Sequence, residues 1–211
     1  MMGTRVGDEF KWMSWTQCWE RSSHISFGIK ALDLAPDISA EDSTFRFIGI
    51  QSKNRADWVI THLANMQQSI TTVAFFDTLG PDAQKFIINQ TEMTTMVVSY
   101  DYLNKFAKTT IEDRTGDNKL QTLKNIVVFE NEILDEDRKL CEEAGLNVYT
   151  LEELYQKGVE AVKAGTATSD EPKPETCSAF SYTSGTTGDP KGVKLTHKML
   201  VQSAYAVAVR Q

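Results

Sequence analysis

The sequence predicts an α/β fold with a mainly parallel sheet covered by helices. Short apolar runs alternate with amphipathic stretches at least three times along the chain, which is the pattern of successive βαβ units. The 211 residues are 41% hydrophobic and 24% charged, as in an ordinary globular domain. A glycine-rich stretch near residue 185 then lies between two further strand patterns, which predicts a strand–loop–strand hairpin followed by a terminal helix.

The predicted elements begin with an amphipathic helix at 14–32. Strands are expected at 45–52, 70–76, 94–100, 123–130 and 146–150, and helices between and after them at 54–68, 80–92, 102–110, 134–145 and 151–165. A polar turn is expected at 112–119, followed near the end of the chain by strands at 178–183 and 192–196 and a helix from His197.

Local signals refine four of these elements. Asn54 is placed to cap the helix at 54–68, whose apolar face would be Val59, Leu63 and Met66. Pro81 suits the first residue of the next helix. Thr196 is expected to cap the last one. Core packing is expected for three tryptophans near the amino terminus, Trp12, Trp15 and Trp19.

We divide the chain into three parts. Residues 1–164 form the α/β portion. Residues 165–177 have two prolines and no large apolar side chain, which indicates an exposed connector. Residues 178–211 form the hairpin with its glycine-rich loop and the terminal helix.

Composition excludes several classes of function. The formal net charge of −7 argues against nucleic acid as a partner. No signal peptide opens the chain and no run of 18 apolar residues occurs, so we expect a cytoplasmic chain without a membrane span. Three scattered cysteines indicate free thiols, and three scattered histidines predict no metal site.

The stretch SYTSGTTGDPKGVKLTH, residues 181–197, combines glycines, hydroxyl groups and two lysines. Glycines allow the backbone to approach a ligand closely, and inward-facing amides with hydroxyls and Lys191 would bind an anion, best a polyphosphate. A flexible hairpin turn rich in small residues is the alternative. The stretch is not a Walker A motif, because Asp189 and Pro190 separate Gly188 from Lys191 and a strand follows where that motif opens a helix.

The ordered string Ser-Gly-Thr-Thr-Gly-x-Pro-Lys-Gly resembles the phosphate-binding signature of the adenylate-forming enzymes. The runs 10–32 and 49–81, including NRADW and DTLGP, are similar to landmarks of eukaryotic long-chain acyl-CoA synthetases. This resemblance covers nearly the whole chain. It implies that the chain is part of the large amino-terminal domain of the adenylate-forming fold.

The resemblance also implies a reaction: a long-chain fatty acid and ATP form an acyl-adenylate and pyrophosphate, and coenzyme A then takes the acyl group and releases AMP. The implied ligands are ATP with Mg²⁺, the fatty acid and coenzyme A, and the implied location is the endoplasmic reticulum or another membrane. Lys191 would neutralise phosphate charge in catalysis. The implied phosphate-binding residues are Thr183, Ser184, Gly185, Thr186, Thr187, Gly188 and Lys191.

Several family motifs have no counterpart in the sequence. There is no aromatic-Gly-x-Thr-Glu motif, no later ribose-binding aspartate and no carboxy-terminal domain with its catalytic lysine; the Thr-Gly-Asp at 115–117 precedes the loop and is interpreted as part of the polar turn. We therefore interpret the chain as an amino-terminal piece of such a ligase, inactive alone. One alternative is a short nucleotide-binding or interaction module without catalysis. Another is a ligase for a short-chain or aromatic carboxylate, against which the DTLGP run argues.

Overall fold

The computed structural model of the protein describes residues 1–40, 43–76, 79–112, 120, 122–183 and 190–209. Its strands, in chain order, are β1 (Met2–Val6), β2 (Glu9–Met13), β3 (Ile38–Ala40), β4 (Ser43–Phe45), β5 (Phe47–Gln51), β6 (Thr71–Phe75), β7 (Thr95–Val98), β8 (Asn125–Val128), β9 (Asn147–Thr150), β10 (Cys177–Thr183) and β11 (Lys191–Thr196). Its helices are α1 (Trp15–Ala31), α2 (Ala56–Gln67), α3 (Pro81–Thr91), α4 (Leu103–Glu112), α5 (Asp135–Glu143), α6 (Leu151–Lys163) and α7 (His197–Ala208). The predicted polar turn at 112–119 lies outside the described residues except for Glu112, which ends α4.

Seven of the described strands form one sheet in the order β11-β10-β6-β5-β7-β8-β9. Neighbouring strands from β10 to β9 run parallel, and β11 joins β10 antiparallel at one edge. The run β6-β5-β7-β8-β9 has the strand order of flavodoxin-like doubly wound folds. The predicted α/β fold with a mainly parallel sheet is therefore confirmed.

Helices cover both faces of the sheet, and each face has its own hydrophobic core. One core lies between the sheet and helices α3, α4 and α5, with Ile87, Phe106 and Cys141 from these helices. The other lies between the sheet and helices α1, α2 and α6. The central strand β5 is buried over its whole length because it is paired on both edges and covered on both faces.

Helices α1 and α6 approach so closely that two glycines are required where they cross. A Cβ atom on Gly28 would lie 1.9 Å from the carbonyl oxygen of Leu154. A Cβ atom on Gly158 would lie 1.7 Å from the carbonyl oxygen of His24. These backbone contacts fix the packing of the helical layer, since neither carbonyl group can move without its helix.

The local predictions for helix starts have mixed outcomes. Pro81 is the first residue of α3 and the Thr196 hydroxyl caps α7, both as predicted. The prediction that Asn54 caps α2 is wrong, because Arg55 occupies the cap position without a side-chain hydrogen bond.

The prediction of which face α2 buries is also wrong. Val59 is 40% exposed and Leu63 and Met66 are half-buried, whereas the residues that α2 buries are Ile60, Thr61, Ala64 and Asn65.

The three tryptophans do not pack into the core, so that prediction is wrong as well. Trp12, Trp15 and Trp19 are 62%, 63% and 57% exposed. The buried face of α1 is formed by smaller residues such as Cys18 and Ile25, because the close crossing with α6 leaves no room for indole rings. Trp12 lies on the hairpin of β1 and β2, which the sequence did not predict, and stacks on Phe10.

Candidate phosphate-binding site

The glycine-rich loop is carried by a hairpin of β10 and β11, as the strand patterns predicted. Strand β10 pairs in parallel with β6 through Ala179, Phe180 and Ser181. It pairs antiparallel with β11 from Cys177 to Thr183, with a shift in register between Cys177 and Ala179. Of the predicted site residues, Thr183 and Lys191 are described, and the remaining ones lie outside the described residues: Ser184, Gly185, Thr186, Thr187 and Gly188.

Thr183 and Lys191 are the last pair of the ladder before the loop. The Thr183 hydroxyl group donates a hydrogen bond to the carbonyl oxygen of Lys191 at 3.4 Å, and both residues are exposed. Because paired residues of an antiparallel ladder share a face, the hydroxyl and ammonium groups lie on the same side of the hairpin. This arrangement places one hydroxyl group and one positive charge at the base of the loop.

Lys194 points to the other face of the hairpin. It pairs with Phe180, and its Nζ atom lies 4.9 Å from the centre of the Phe45 ring. A cation above an aromatic ring is attracted by the negative face of the ring. The two lysines of residues 181–197 therefore have different environments. Lys191 lies on the same face of the hairpin as Thr183, and Lys194 lies on the opposite face.

An aromatic cluster lies on the face of the hairpin that carries Lys194. Tyr182 is 5% exposed, and its hydroxyl group donates a hydrogen bond to Oε1 of Gln90 in α3 at 2.7 Å. Burial raises the pKa of Tyr182 to about 12, so its hydroxyl group stays protonated and keeps this bond. A Cβ atom on Gly192 would lie 3.2 Å from the Tyr182 ring, which explains the glycine opposite this tyrosine. Phe47 and Phe180 complete the cluster, with ring centres 5.1 Å apart.

The amino-terminal end of β10 is fixed by the segment that precedes it. The carboxylate of Asp170 accepts hydrogen bonds from Lys30 Nζ at 2.8 Å and from Arg46 Nη1 at 2.6 Å. These two cations lower the pKa of Asp170, the Lys30 bond contributing most. The Thr71 hydroxyl group donates to the carbonyl oxygen of Cys177 at 2.9 Å. Sequence patterns did not reveal these supports, because their partners are distant along the chain.

The described residues near the loop suit phosphate oxygens better than a metal ion. Within the described residues, no group of three or more histidine, cysteine, aspartate or glutamate side chains is arranged to hold a metal ion. Hydroxyl and ammonium groups donate hydrogen bonds and do not supply the carboxylate oxygens that Mg²⁺ prefers. The three cysteines are free and buried. None of the described helices combines the length and apolarity needed to cross a bilayer.

Comparisons with known proteins agree on the fold and the family. Residues 3–211 match the family described as AMP-binding enzyme. The chain is 35% identical over 200 residues to fatty acyl-CoA synthetase B of Dictyostelium discoideum, covering 95% of this chain and 27% of that protein. It is 31% identical to long-chain-fatty-acid–CoA ligase 1 of Cavia porcellus, covering 97% of this chain and 27% of the ligase. The chain thus spans about a quarter of the length of these curated relatives.

Solved structures show the same fold at lower identity. The adenylation domain of the carboxylate reductase from Mycobacterium chelonae superimposes with a TM-score of 0.72 at 19% identity, covering 92% of this chain and 29% of that one. The anthranilate CoA ligase AuaEII, solved with anthranoyl-AMP, gives a TM-score of 0.68 at 19% identity, covering 94% of this chain and 32% of that one. These likenesses show the fold, and the family match over residues 3–211 shows that the chain belongs to the AMP-binding enzymes.

Proposed function

We propose that this chain carries the triphosphate-binding part of an ATP-dependent, AMP-forming ligase that joins a long-chain fatty acid to coenzyme A. The observation that carries the proposal is the hairpin that holds Thr183 and Lys191 on one face at the base of the Ser-Gly-Thr-Thr-Gly loop. The family match and the names of the relatives support it.

In the proposed reaction, the fatty carboxylate attacks the α-phosphorus of ATP and displaces pyrophosphate. The thiol of coenzyme A then attacks the acyl carbon of the adenylate and displaces AMP. A carboxylate is a poor electrophile, and the adenylate supplies the leaving group it lacks. The main electrostatic requirement of the first step is therefore to neutralise the charge that develops on the departing pyrophosphate.

We assign this neutralisation to Lys191, whose ammonium group would act as counter-ion to the β- and γ-phosphates. Thr183, with the loop residues 184–188, would donate hydrogen bonds to the same phosphates. Mg²⁺ would enter bound to the phosphates of ATP as part of the substrate. Fatty acid and coenzyme A would bind to other parts of the active site.

We further propose that the ligase works at the surface of the endoplasmic reticulum or another membrane. The proposed substrate and product are both amphiphiles that partition into lipid, so an enzyme at that surface would meet them at high local concentration. Flotation with phospholipid vesicles tests this, and a protein that stays in the unbound fraction with and without palmitate would contradict it.

Pyrophosphate exchange tests the proposed function most directly. The complete gene product should exchange labelled pyrophosphate into ATP in the presence of palmitate, and much less with acetate or benzoate. Lys191→Ala should slow this exchange about 10²-fold, as is typical when one charge-stabilising donor is lost. Gly185→Val should be at least as harmful, because a side chain would block close approach of the backbone to phosphate. Wild-type exchange by both variants would refute the assignment.

The 211-residue chain should bind ATP but form no palmitoyl-CoA, because it lacks the Gly-x-Thr-Glu motif and the ribose-binding aspartate of the family. Mass spectrometry after incubation with ATP, palmitate and coenzyme A decides this. ATP binding without exchange in the complete gene product would instead favour a nucleotide-binding module without catalysis.

A further inference from the structure

A pocket of about 180 Å³ lies between the hairpin of β3 and β4, the end of α3 and the hairpin of β10 and β11. We call it the Phe45 pocket, and its main lining residues are Ile38, Phe45, Phe47, Phe180, Tyr182 and Lys194. Those that come from β10 and β11 lie on the face of that hairpin opposite to Thr183 and Lys191. The Phe45 pocket is therefore distinct from the candidate phosphate-binding site.

Three aromatic rings form one wall of the pocket. Phe45 stacks on Phe47 with ring centres 5.3 Å apart and an angle of 12° between the ring planes. Phe180 meets both rings edge-on, with ring centres 5.8 Å from Phe45 and 5.1 Å from Phe47. Phe45 and Phe180 are half-buried, so part of this wall is open to a ligand. An aromatic ring placed against it would bury apolar surface and gain ring–ring contacts.

Lys194 places a positive charge directly at this wall. Its Nζ atom lies 4.9 Å from the centre of the Phe45 ring, and both residues line the pocket. The salt bridges formed among the described residues do not include Lys194. An ammonium group has three N–H donors, and contact with a ring face leaves donors for an oxygen acceptor. An anion in the pocket would therefore find a charged hydrogen-bond donor.

The other polar groups and the size of the pocket restrict which anion fits. The Tyr182 hydroxyl group already donates to Oε1 of Gln90 at 2.7 Å, so these two atoms satisfy each other. Glu92 also lines the pocket, and a dianion such as a phosphate monoester would meet this like charge with one lysine to offset it. The volume slightly exceeds that of a cavity of roughly 150 Å³ that holds benzene. These features favour a monoanion with one aromatic ring.

We propose that the Phe45 pocket binds a small aromatic monocarboxylate, an arylalkanoic acid, whose carboxylate accepts a hydrogen bond from Lys194 Nζ while its ring lies against Phe45 and Phe180. Such a ligand would touch the hairpin of β3 and β4 and the hairpin of β10 and β11 at once. It would thereby stabilise the contact between the two hairpins. This inference does not depend on the proposed ligase activity.

Fluorine NMR of 4-fluorophenylacetate, titrated with the complete gene product, tests the proposal. The probe signal should broaden in a saturable manner. The uncharged 4-fluorophenylacetamide should bind about tenfold more weakly, because it lacks the charge-assisted bond to Lys194. Excess palmitate should not displace the acid, which separates this pocket from the fatty acid site of the proposed ligase. Absence of saturable binding, equal affinity for acid and amide, or displacement by palmitate would overturn the proposal.

Lys194→Met tests the charged contact, because it keeps an unbranched side chain over Phe45 and removes the ammonium group. The variant should bind the acid about tenfold more weakly and the amide as well as the unmodified protein does. Equal weakening of both probes would mean that Lys194 contributes only to the shape of the pocket, and the proposal would fail.

Two tryptophan substitutions in β3 test the location of the ligand. Ala40 pairs with Ser43 and lies on the same face of its hairpin as Phe45, whereas the Ser39 side chain points to the opposite face. Both residues are exposed, so a larger side chain should be tolerated at each position. Ala40→Trp should fill the pocket and abolish binding of 4-fluorophenylacetate, and Ser39→Trp is the matched control that should preserve it. Undiminished binding by Ala40→Trp, or equal loss in both variants, would contradict the assignment.

Discussion

The central strand β5 and the outer strand β11 belong to the same sheet but have opposite environments. All five residues of β5 are buried, and both of its edges are paired. Strand β11 has four exposed residues at its start and two half-buried ones at its end, and it pairs only with β10 among the described strands. The comparison shows that the candidate phosphate-binding residues are carried by the least buried part of a well-packed sheet.

This difference suits the proposed function. A loop that receives a nucleotide must be accessible, so the hairpin that carries it cannot be covered on both faces. Parts of a protein with few buried contacts also open locally at lower free energy than the core. The aromatic cluster around Tyr182 and the anchor at Asp170 limit this freedom at the two ends of β10.

The largest expected effect is on the packed helical layer. Gly158→Ala places a methyl group against the carbonyl group of His24, and should lower the free energy of unfolding by about 3 kcal/mol or more, because the backbone of α1 must move. Chemical denaturation measures this. Val162→Ala in the same helix is the control, since Val162 is 46% exposed and its loss should change stability by less than about 0.5 kcal/mol. Equal effects of the two substitutions would contradict the described crossing of α1 and α6.

The second prediction concerns the pH dependence of stability. Burial, and then the nearby charge of His197, lower the pKa of His62 to about 4 from 6.5. The unfolded chain therefore binds a proton between these two values while the folded chain does not. Stability should fall as the pH falls through this range, by roughly 3 kcal/mol in total.

His62→Asn is the matching variant, since an amide can still bond to the Thr72 hydroxyl group that lies 2.9 Å from His62 Nδ1. Denaturation curves from pH 7 to pH 4 should be much flatter for this variant. A wild-type stability that stays constant over this interval would show that His62 is not buried in its neutral form.

The third prediction sharpens the contrast between hairpin and core. Tyr182→Phe removes the hydrogen bond to Gln90 and keeps the ring, at a cost of about 1 kcal/mol. Amide hydrogen exchange in β10 and β11 should become about fivefold faster, whereas exchange in β5 should not change. Uniform acceleration throughout the sheet would mean that the hairpin opens only with the whole domain.

The smallest effect is expected in α7, where Val201 and Tyr205 are 68% and 70% exposed. Replacing both with serine should change the free energy of unfolding by less than about 0.5 kcal/mol each, because neither side chain is packed. The substitutions should reduce binding of a hydrophobic dye and self-association at micromolar concentration. A large loss of stability would mean that α7 contributes to the folded core.

Sequence reasoning succeeded where the determining forces were local. Apolar runs such as residues 47–51 predicted buried strands, and Pro81 and Thr196 marked helix starts correctly. It failed where two neighbouring faces of a helix were equally apolar. Val59 and Ile60 are adjacent, so the pattern could not show which one faces the sheet, and the structure buries Ile60.

Long-range supports of the candidate site could not be predicted from the sequence. The Tyr182–Gln90 bond joins residues 92 positions apart, and the Lys30–Asp170 bond joins residues 140 apart. The exposure of Trp12 depends on the hairpin of β1 and β2, whose two-residue Gly7-Asp8 turn is a local hairpin signal that the sequence analysis did not use. The ordered loop string identified the family, but the different faces of Lys191 and Lys194 required the register of the ladder.

The central claim, that Lys191 contacts the β- and γ-phosphates of ATP, is tested most directly by calorimetric titration of the complete gene product with MgATP and with AMP. Lys191→Ala should weaken MgATP binding at least about tenfold, as expected for loss of a charge-assisted contact, and leave AMP affinity unchanged, since AMP lacks those phosphates. Lys194→Ala is the matched control and should change either affinity less than about threefold, because its ammonium group lies over Phe45 on the other face. Equal weakening by both variants, or unchanged MgATP affinity in Lys191→Ala, would contradict the account.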